Sequence, residues 1–157
     1  GTIADVGLDY YKLDESPTRF EAGTPAIAES IGLGAAAEYL QEIGMENIER
    51  HEKELARQMY EGFKEITEVE TYGPEPKDKI GITAFNVGSL NPHDVALALD
   101  VSADIMVRSG HHCAIPLARY IIRKTGSVRA SAYFYNTREE IDKLVLTVGE
   151  IGRSLTN

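Results

Sequence analysis

The sequence of 157 residues contains a single cysteine and lacks any apolar run approaching the ~20 residues that a membrane-spanning helix needs. One cysteine cannot form an internal disulfide, so nothing suggests a secreted scaffold held together by disulfides. The N-terminus also lacks the basic and then apolar pattern of a secretory signal. These absences predict a cytoplasmic protein without a membrane partner.

Basic side chains are in the minority. Lys and Arg number 16 against 25 Asp and Glu, which gives a formal net charge of -9. Such a charge repels a phosphate backbone, so nucleic acid is not an expected partner. Hydrophobic residues make up 43% and charged residues 26% of the chain, ordinary proportions for a globular domain. The length fits one compact domain with a sizeable core.

Four segments carry helical patterns: residues 25–43, 47–69, 92–99 and 138–155. The second segment has one apolar face at helical spacing, which is formed by Ile48, Leu55, Met59, Phe63 and Ile66. This pattern predicts a surface helix that covers a core.

Start signals precede three of these helices. Thr24 before Pro25 is typical of an N-cap followed by proline at the first helical position. Asn91 before Pro92 repeats that pattern. Thr137 has Glu140 three residues later, and this spacing predicts a capping box.

Strand patterns fall between the helices, at residues 69–72, 80–87, 105–108 and 128–135. In the last, small apolar residues alternate with polar ones, so Arg129 should point away from the apolar face. Strands interspersed with helices and short turns predict an α+β fold, with helices covering a small, largely antiparallel sheet.

The sequence around Cys113 is the strongest candidate for chemistry. It follows a predicted strand and precedes a helix that starts at Pro116, so its loop can display a thiol. Arg108, His111 and His112 would favour the thiolate, which is the nucleophilic form.

Two other interpretations of the cysteine segment stay open. Cys113 could be a buried residue that only packs, since free cysteine is among the most buried residue types. The His-His-Cys run could instead bind a metal, although three adjacent residues rarely converge on one ion. His51 and His93 are isolated in sequence and are expected on helix surfaces. Arg129 could clamp a carboxylate or be an ordinary ion-paired arginine.

Three motifs in the same order resemble the signatures of the group II cysteine desulfurases, the branch of the class V aminotransferases that includes selenocysteine lyase-like enzymes. Residues 108–117, RSGHHCAIPL, are similar to the family's active-site cysteine motif. Residues 19–25, RFEAGTP, resemble a second signature, and residues 128–142 resemble a third. The match corresponds to roughly the last two fifths of a family member.

The resemblance implies a pyridoxal-phosphate enzyme that moves sulfur from L-cysteine to an enzyme cysteine persulfide and releases alanine, for iron-sulfur cluster or other sulfur biosynthesis. By resemblance, Cys113 is the nucleophile. Two roles stay open for His112, which could move a proton near the sulfur or be structural. Arg129 clamps the substrate carboxylate, and Arg108 supports the cysteine loop and the positive potential around the substrate. Thr24 reaches the cofactor of the neighbouring subunit. The implied partners are L-cysteine, a sulfur-acceptor protein and the second subunit of a homodimer.

The resemblance also implies that residues 1–20 connect to a large cofactor domain and that residues 21–157 form the C-terminal small domain of a fold-type I enzyme. The lysine that binds the cofactor would lie in the large domain, so this chain alone should neither bind pyridoxal phosphate nor turn over cysteine. Two alternatives remain: a selenocysteine lyase or another class V enzyme, and a stand-alone sulfur-carrier or interaction domain without a cofactor.

Overall fold

The computed structural model describes residues 1–154, and the chain separates into two compact units, residues 1–44 and the part that begins at Met45. The division that the sequence suggests after residue 20 stays a prediction about the whole protein. Among the described helices, none combines the length and apolar character required to span a membrane.

The first unit holds a β-hairpin and one long helix. Strands β1 (Ile3–Val6) and β2 (Tyr11–Leu13) pair antiparallel, and a single 3₁₀ turn at Thr18–Phe20 follows. Helix α1 spans Ile27–Ile43 and has no buried residue. Its large apolar side chains are therefore exposed: Ile27, Ile31, Leu33 and Tyr39.

The predicted cap of α1 is wrong. The N-cap is Ala26, without a side-chain hydrogen bond, and Thr24 lies two residues before it in a bend. The Ile27 amide donates to the Pro25 carbonyl at 2.9 Å, a tight turn that keeps Pro25 outside the helix. Thr24 therefore precedes the helix without capping it.

The second unit is a helix-covered antiparallel sheet. Its elements are α2 (Met45–Lys64), β3 (Val69–Tyr72), β4 (Ile82–Val87), α3 (Pro92–Ala103), β5 (Arg108–Gly110), a π-helix (Leu117–Ile122), β6 (Ser127–Ser131) and α4 (Arg138–Arg153). The strand order is β3-β4-β6-β5, and every neighbouring pair is antiparallel. The predicted α+β class is confirmed.

One face of the sheet builds the core. Phe85 of β4 lies opposite Val128 of β6, and both are fully buried. They pack with apolar side chains of α2, α3 and α4 in one cluster, which includes Leu55, Met59, Phe63, Leu99, Ile141, Leu144 and Val148. The opposite face of the sheet carries Tyr72, Ala84, Arg108 and Arg129 in one cross-strand row.

The helix predictions hold best where a cap is present. Asn91 accepts the His93 amide at 2.9 Å, and Thr137 with Glu140 forms both bonds of the capping box. Helix α3 continues to Ala103, beyond the predicted residue 99. Helix α2 ends at Lys64 instead of residue 69, because Val69 pairs with Val87 in the sheet. The predicted end of the last helix at residue 155 lies outside the described residues.

The predicted strand bounds need three corrections. Strand β4 begins at Ile82, not at residue 80. The strand predicted at 105–108 is Arg108–Gly110, because Ile105 and Val107 pack against the core outside the sheet. The strand predicted at 128–135 is Ser127–Ser131, because the Asn136 side chain accepts the Tyr133 amide and closes a turn before α4.

Candidate active site

Two arginines lie side by side on the face of the sheet opposite the core, which we call the open face. Arg108 of β5 is the direct cross-strand partner of Arg129 of β6, so their side chains share a face. Ala84 of β4 is the cross-strand partner of Arg129 on the other side. Like charges directly opposite one another are unfavourable, and a bound anion would offset the repulsion between the two guanidinium groups.

Arg129 has an unused donor. Its Nε atom is buried and has no hydrogen-bond partner among the described residues. A buried guanidinium donor without a partner costs free energy that an anionic ligand would recover. As strand alternation predicts, Arg129 lies on the face away from the buried Val128 and Ala130.

The cysteine loop, residues 111–116 between β5 and the π-helix, has an unusual backbone together with the glycine before it. Gly110 has φ 116°, and the consecutive residues His112 and Cys113 have φ 52° and 61°, which is the left-handed region. The Ala114 amide closes a turn on the His111 carbonyl at 2.8 Å. Left-handed non-glycine residues are uncommon, and they concentrate at functional sites. Cys113 is a free, exposed cysteine, so the interpretation of it as a buried packing residue is wrong.

His112 ties the loop to the strand that carries Arg129. Its Nε2 lies 3.0 Å from the Ser127 carbonyl and 3.1 Å from the Ser127 hydroxyl. The carbonyl can only accept, so Nε2 carries the proton and Nδ1 keeps its lone pair. That Nδ1 is buried and has no partner among the described residues.

The ring of His112 favours the neutral form. Burial lowers its pKa below the usual 6.5, the charges of Arg129, Arg108 and His111 lower it further, and the hydrogen bond to the Ser127 backbone opposes them. A neutral imidazole with a free Nδ1 can accept a proton at neutral pH. The charges of Arg108 and Arg129 therefore act on the His112 ring.

A second network holds the strand end beneath the loop. The Asn86 amide, which is buried, donates to the Gly126 carbonyl at 3.0 Å and to the Tyr72 hydroxyl at 3.1 Å. Burial raises the pKa of Tyr72 to about 12, and the hydrogen bond that it donates to Glu70 adds to the effect. Tyr72 therefore stays protonated and fixes Asn86, which in turn fixes Gly126.

Gly126 lies very close to Gly110, the last residue of β5 before the cysteine loop. It has φ 149°, and a Cβ atom there would lie 2.9 Å from the carbonyl carbon and oxygen of Gly110. Both contacts are with backbone, which cannot rotate away. Only glycine satisfies this approach, so Gly126 permits the close contact with the end of β5, from which the cysteine loop continues.

We expect Gly126→Ala to destabilise the domain by about 1–3 kcal/mol, because it combines backbone strain with a backbone collision. Chemical denaturation measures the effect. Gly73→Ala is the matched control: Gly73 also has a positive φ, 101°, but its added Cβ would meet only Lys79 Cε at 3.7 Å. A loss at Gly126 no larger than the loss at Gly73 would contradict the steric assignment.

The two isolated histidines lie on helices as predicted, but each contacts another element. His93 Nδ1 lies 2.8 Å from the Ser109 hydroxyl, which joins the start of α3 to β5. His51 Nε2 lies 2.9 Å from the Asn136 carbonyl. Sequence reasoning missed the contact of His93, because sixteen residues separate it from Ser109 and no local pattern relates them. Within residues 1–154, no group of three or more His, Cys, Asp or Glu side chains is arranged to hold a metal ion.

The structure thus brings Cys113, His112, Arg108 and Arg129 together in the second unit. Thr24 belongs to the first unit, where it is exposed in the bend before α1. Sequence reasoning missed Ser127, Gly126 and Asn86, which support the loop. The pair Gly126-Ser127 before a predicted strand was the available signal, since an isolated glycine there often marks a close backbone approach.

Comparisons with known proteins agree with the family resemblance of the three sequence motifs. The family model described as "Aminotransferase class-V" matches residues 1–144. A probable cysteine desulfurase from Synechocystis sp. is 50% identical over 142 residues, which cover 89% of this chain and 33% of that protein. A probable cysteine desulfurase from Pyrococcus abyssi is 47% identical over 156 residues, 99% of this chain and 38% of that protein.

A solved structure shows the same fold. The apo cysteine desulfurase from Thermococcus onnurineus superposes with a TM-score of 0.88 at 48% identity, covering 98% of this chain and 38% of that one. The chain thus spans between a third and two fifths of the length of these relatives. Because the family model matches most of this chain, the chain belongs to the aminotransferase class-V family.

Proposed function

We propose that this chain is the C-terminal portion of a cysteine desulfurase and that it supplies the cysteine that accepts sulfur from L-cysteine. The observation that carries the proposal is the placement of an exposed thiol, Cys113, on a loop that His112 fixes to the strand of Arg129, whose buried Nε donor has no partner among the described residues. Relatives named as probable cysteine desulfurases support the assignment.

In this proposal, Arg129 binds the substrate carboxylate through its planar guanidinium, and Arg108 beside it adds positive potential. The buried Nε donor of Arg129 then has an anionic partner. Carboxylate binding orients the substrate so that its sulfur faces the loop that carries Cys113.

The Cys113 thiolate attacks the substrate sulfur. A bond forms between the two sulfur atoms, the carbon–sulfur bond of the substrate breaks, and its electron pair stays on carbon, which is then protonated to give alanine. His112 can accept or return a proton beside the sulfur through its free Nδ1. Cys113 is left as a persulfide, for transfer to an acceptor protein in iron-sulfur cluster or other sulfur biosynthesis.

Pyridoxal phosphate would supply the electron sink for carbon–sulfur cleavage. The residues present fit part of its surroundings: Thr24 offers an exposed hydroxyl before α1, and Arg129 a buried donor without a partner. We assign the cofactor's lysine to a large domain outside this chain, and we assign Thr24 to the cofactor of a second subunit. The exposed apolar side chains of the first unit, among them Val6, Leu8 and Phe20, support coverage by such a domain or subunit.

We expect the 157-residue chain alone to fold and to react with thiol reagents, yet to release no alanine from cysteine when pyridoxal phosphate is added. With dithiothreitol present to reduce the Cys113 persulfide, the complete protein should release alanine and sulfide in equal amounts. The assay measures both products, with circular dichroism as the control for folding. Alanine release by the chain alone, lost on replacing one of its own lysines, would place the cofactor site within these residues. It would reject the assignment of the cofactor's lysine to a large domain outside this chain.

A further inference from the structure

Charge is strongly segregated in this acidic chain. Residues 105–138 contain no Asp or Glu, so all 25 acidic side chains lie elsewhere. The same segment holds six of the 16 cations: Arg108, Arg119, Arg123, Lys124, Arg129 and Arg138. Only Arg108 and Arg129 belong to the proposed substrate site, so the function described above leaves the others unexplained.

Three of these cations line one groove beside the cysteine loop. The groove has a volume of about 1040 Å³ and is bordered by Ser89, Leu90, His111, Arg119, Arg123 and Lys124, with Tyr120 among them. We call it the basic groove. Its lining includes no carboxylate, and His111 joins it to the loop that carries Cys113.

The positive charge of the basic groove is largely uncompensated. Among residues 1–154, neither Arg119 nor Arg123 has an ion-pair partner, and both are exposed. Lys124 contacts Glu70 at 3.2 Å, but that pair is exposed and therefore weak. The described residues of this chain thus leave most of the charge of the groove unneutralised.

Apolar side chains accompany these cations. Tyr120 and Ile121 are 66% and 73% exposed, and Leu117 is 49% exposed. Exposed tyrosine and arginine together are characteristic of protein interfaces, in which they supply much of the binding energy. A groove of this size and composition suits a protein surface better than a small anion.

We propose that the basic groove is the docking surface for the sulfur acceptor, a protein whose reactive thiol is flanked by acidic side chains. This inference rests on the proposed function and adds the chemistry of the partner. Complementary charge would steer the acceptor thiol toward Cys113 and speed encounter more than it strengthens binding.

Thiol–disulfide exchange tests docking without cofactor or substrate. Cys113, the only cysteine of this chain, is first converted to its pyridyl mixed disulfide. A peptide thiolate then attacks the Cys113 sulfur, a Cys113–peptide disulfide forms, and the pyridyl sulfur leaves as pyridine-2-thione after taking one proton. The probes are Glu-Glu-Glu-Cys-Glu-Glu and its matched glutamine version, with rates corrected for the thiolate fraction of each peptide.

At an ionic strength of ~0.01 M the acidic peptide should react at least ~10-fold faster than the glutamine peptide, and most of this advantage should disappear by ~0.15 M. Charge reversal of the groove, Arg119→Glu with Arg123→Glu and Lys124→Glu, should remove it. The control reverses three exposed cations of α2, Lys53→Glu with Arg57→Glu and Lys64→Glu, and has the same net charge.

If the two triple variants lost the advantage equally, the effect would be due to net charge, and the groove assignment would be overturned. Competition by a single-stranded oligonucleotide as strong as that by an acidic peptide without cysteine would indicate a general polyanion site and would also overturn it. In the complete protein, the groove variant should still release alanine at the normal rate with dithiothreitol as the sulfur acceptor. Absence of alanine release from the unaltered complete protein would instead reject the proposed function, whatever the exchange rates.

Discussion

Replacing Arg129 by Ala in the complete enzyme should raise KM for cysteine by ~10- to 150-fold, the equivalent of about 1.5–3 kcal/mol for a charge-assisted hydrogen bond. The substitution removes the one buried guanidinium donor on the open face that lacks a partner among the described residues. It leaves the fold intact, because the helices cover the other face of the sheet. Steady-state kinetics with cysteine measures the change.

Arg129→Lys should restore little of the loss, since an ammonium group cannot reproduce the planar fork that binds a carboxylate through two hydrogen bonds. Arg138→Ala is the matched control, because Arg138 is an exposed arginine whose bond to Glu54 at 2.6 Å lies on the helix surface. Its KM should stay unchanged. Normal affinity in the Arg129→Ala enzyme would end the assignment of Arg129 as the carboxylate clamp.

Local patterns were sufficient for the parts of the fold that depend on neighbouring residues. The capping box of Thr137 and the cap of Asn91 are confirmed, since each needs only a side chain and an amide within one helical turn. The alternation around Arg129 also predicted its face correctly. Thr24 fails as a cap because the turn between Pro25 and Ile27 delays the helix, which depends on backbone geometry that the TP pair does not reveal.

Long-range relations could not be predicted from the sequence. The pairing of Arg108 with Arg129 requires the register between two strands that are separated by the cysteine loop and the π-helix. The need for glycine at position 126 requires the position of Gly110 in space. Net charge also concealed the basic segment, because the sum over the chain averages an acid-free stretch with an acidic remainder.

Replacing Cys113 by Ala in the complete enzyme should lower sulfur release from cysteine by at least ~10³-fold, because the covalent nucleophile is removed. Substrate should still bind, since Arg129 and Arg108 belong to strands β6 and β5 and not to the cysteine loop. The change in cofactor absorbance when cysteine is added should therefore persist with a similar midpoint. His112→Gln is an informative companion: it should slow turnover without preventing sulfur from reaching Cys113.

The persulfide itself provides the most direct test. The complete enzyme is mixed with one equivalent of L-cysteine that carries heavy sulfur, digested without reductant after alkylation, and the peptide that contains Cys113 is analysed by mass spectrometry. We predict one additional heavy sulfur atom on Cys113, in an amount equal to the alanine released. Alanine released with no added sulfur on Cys113, or with the heavy sulfur on another cysteine of the complete protein, would contradict the role of Cys113 as the sulfur acceptor.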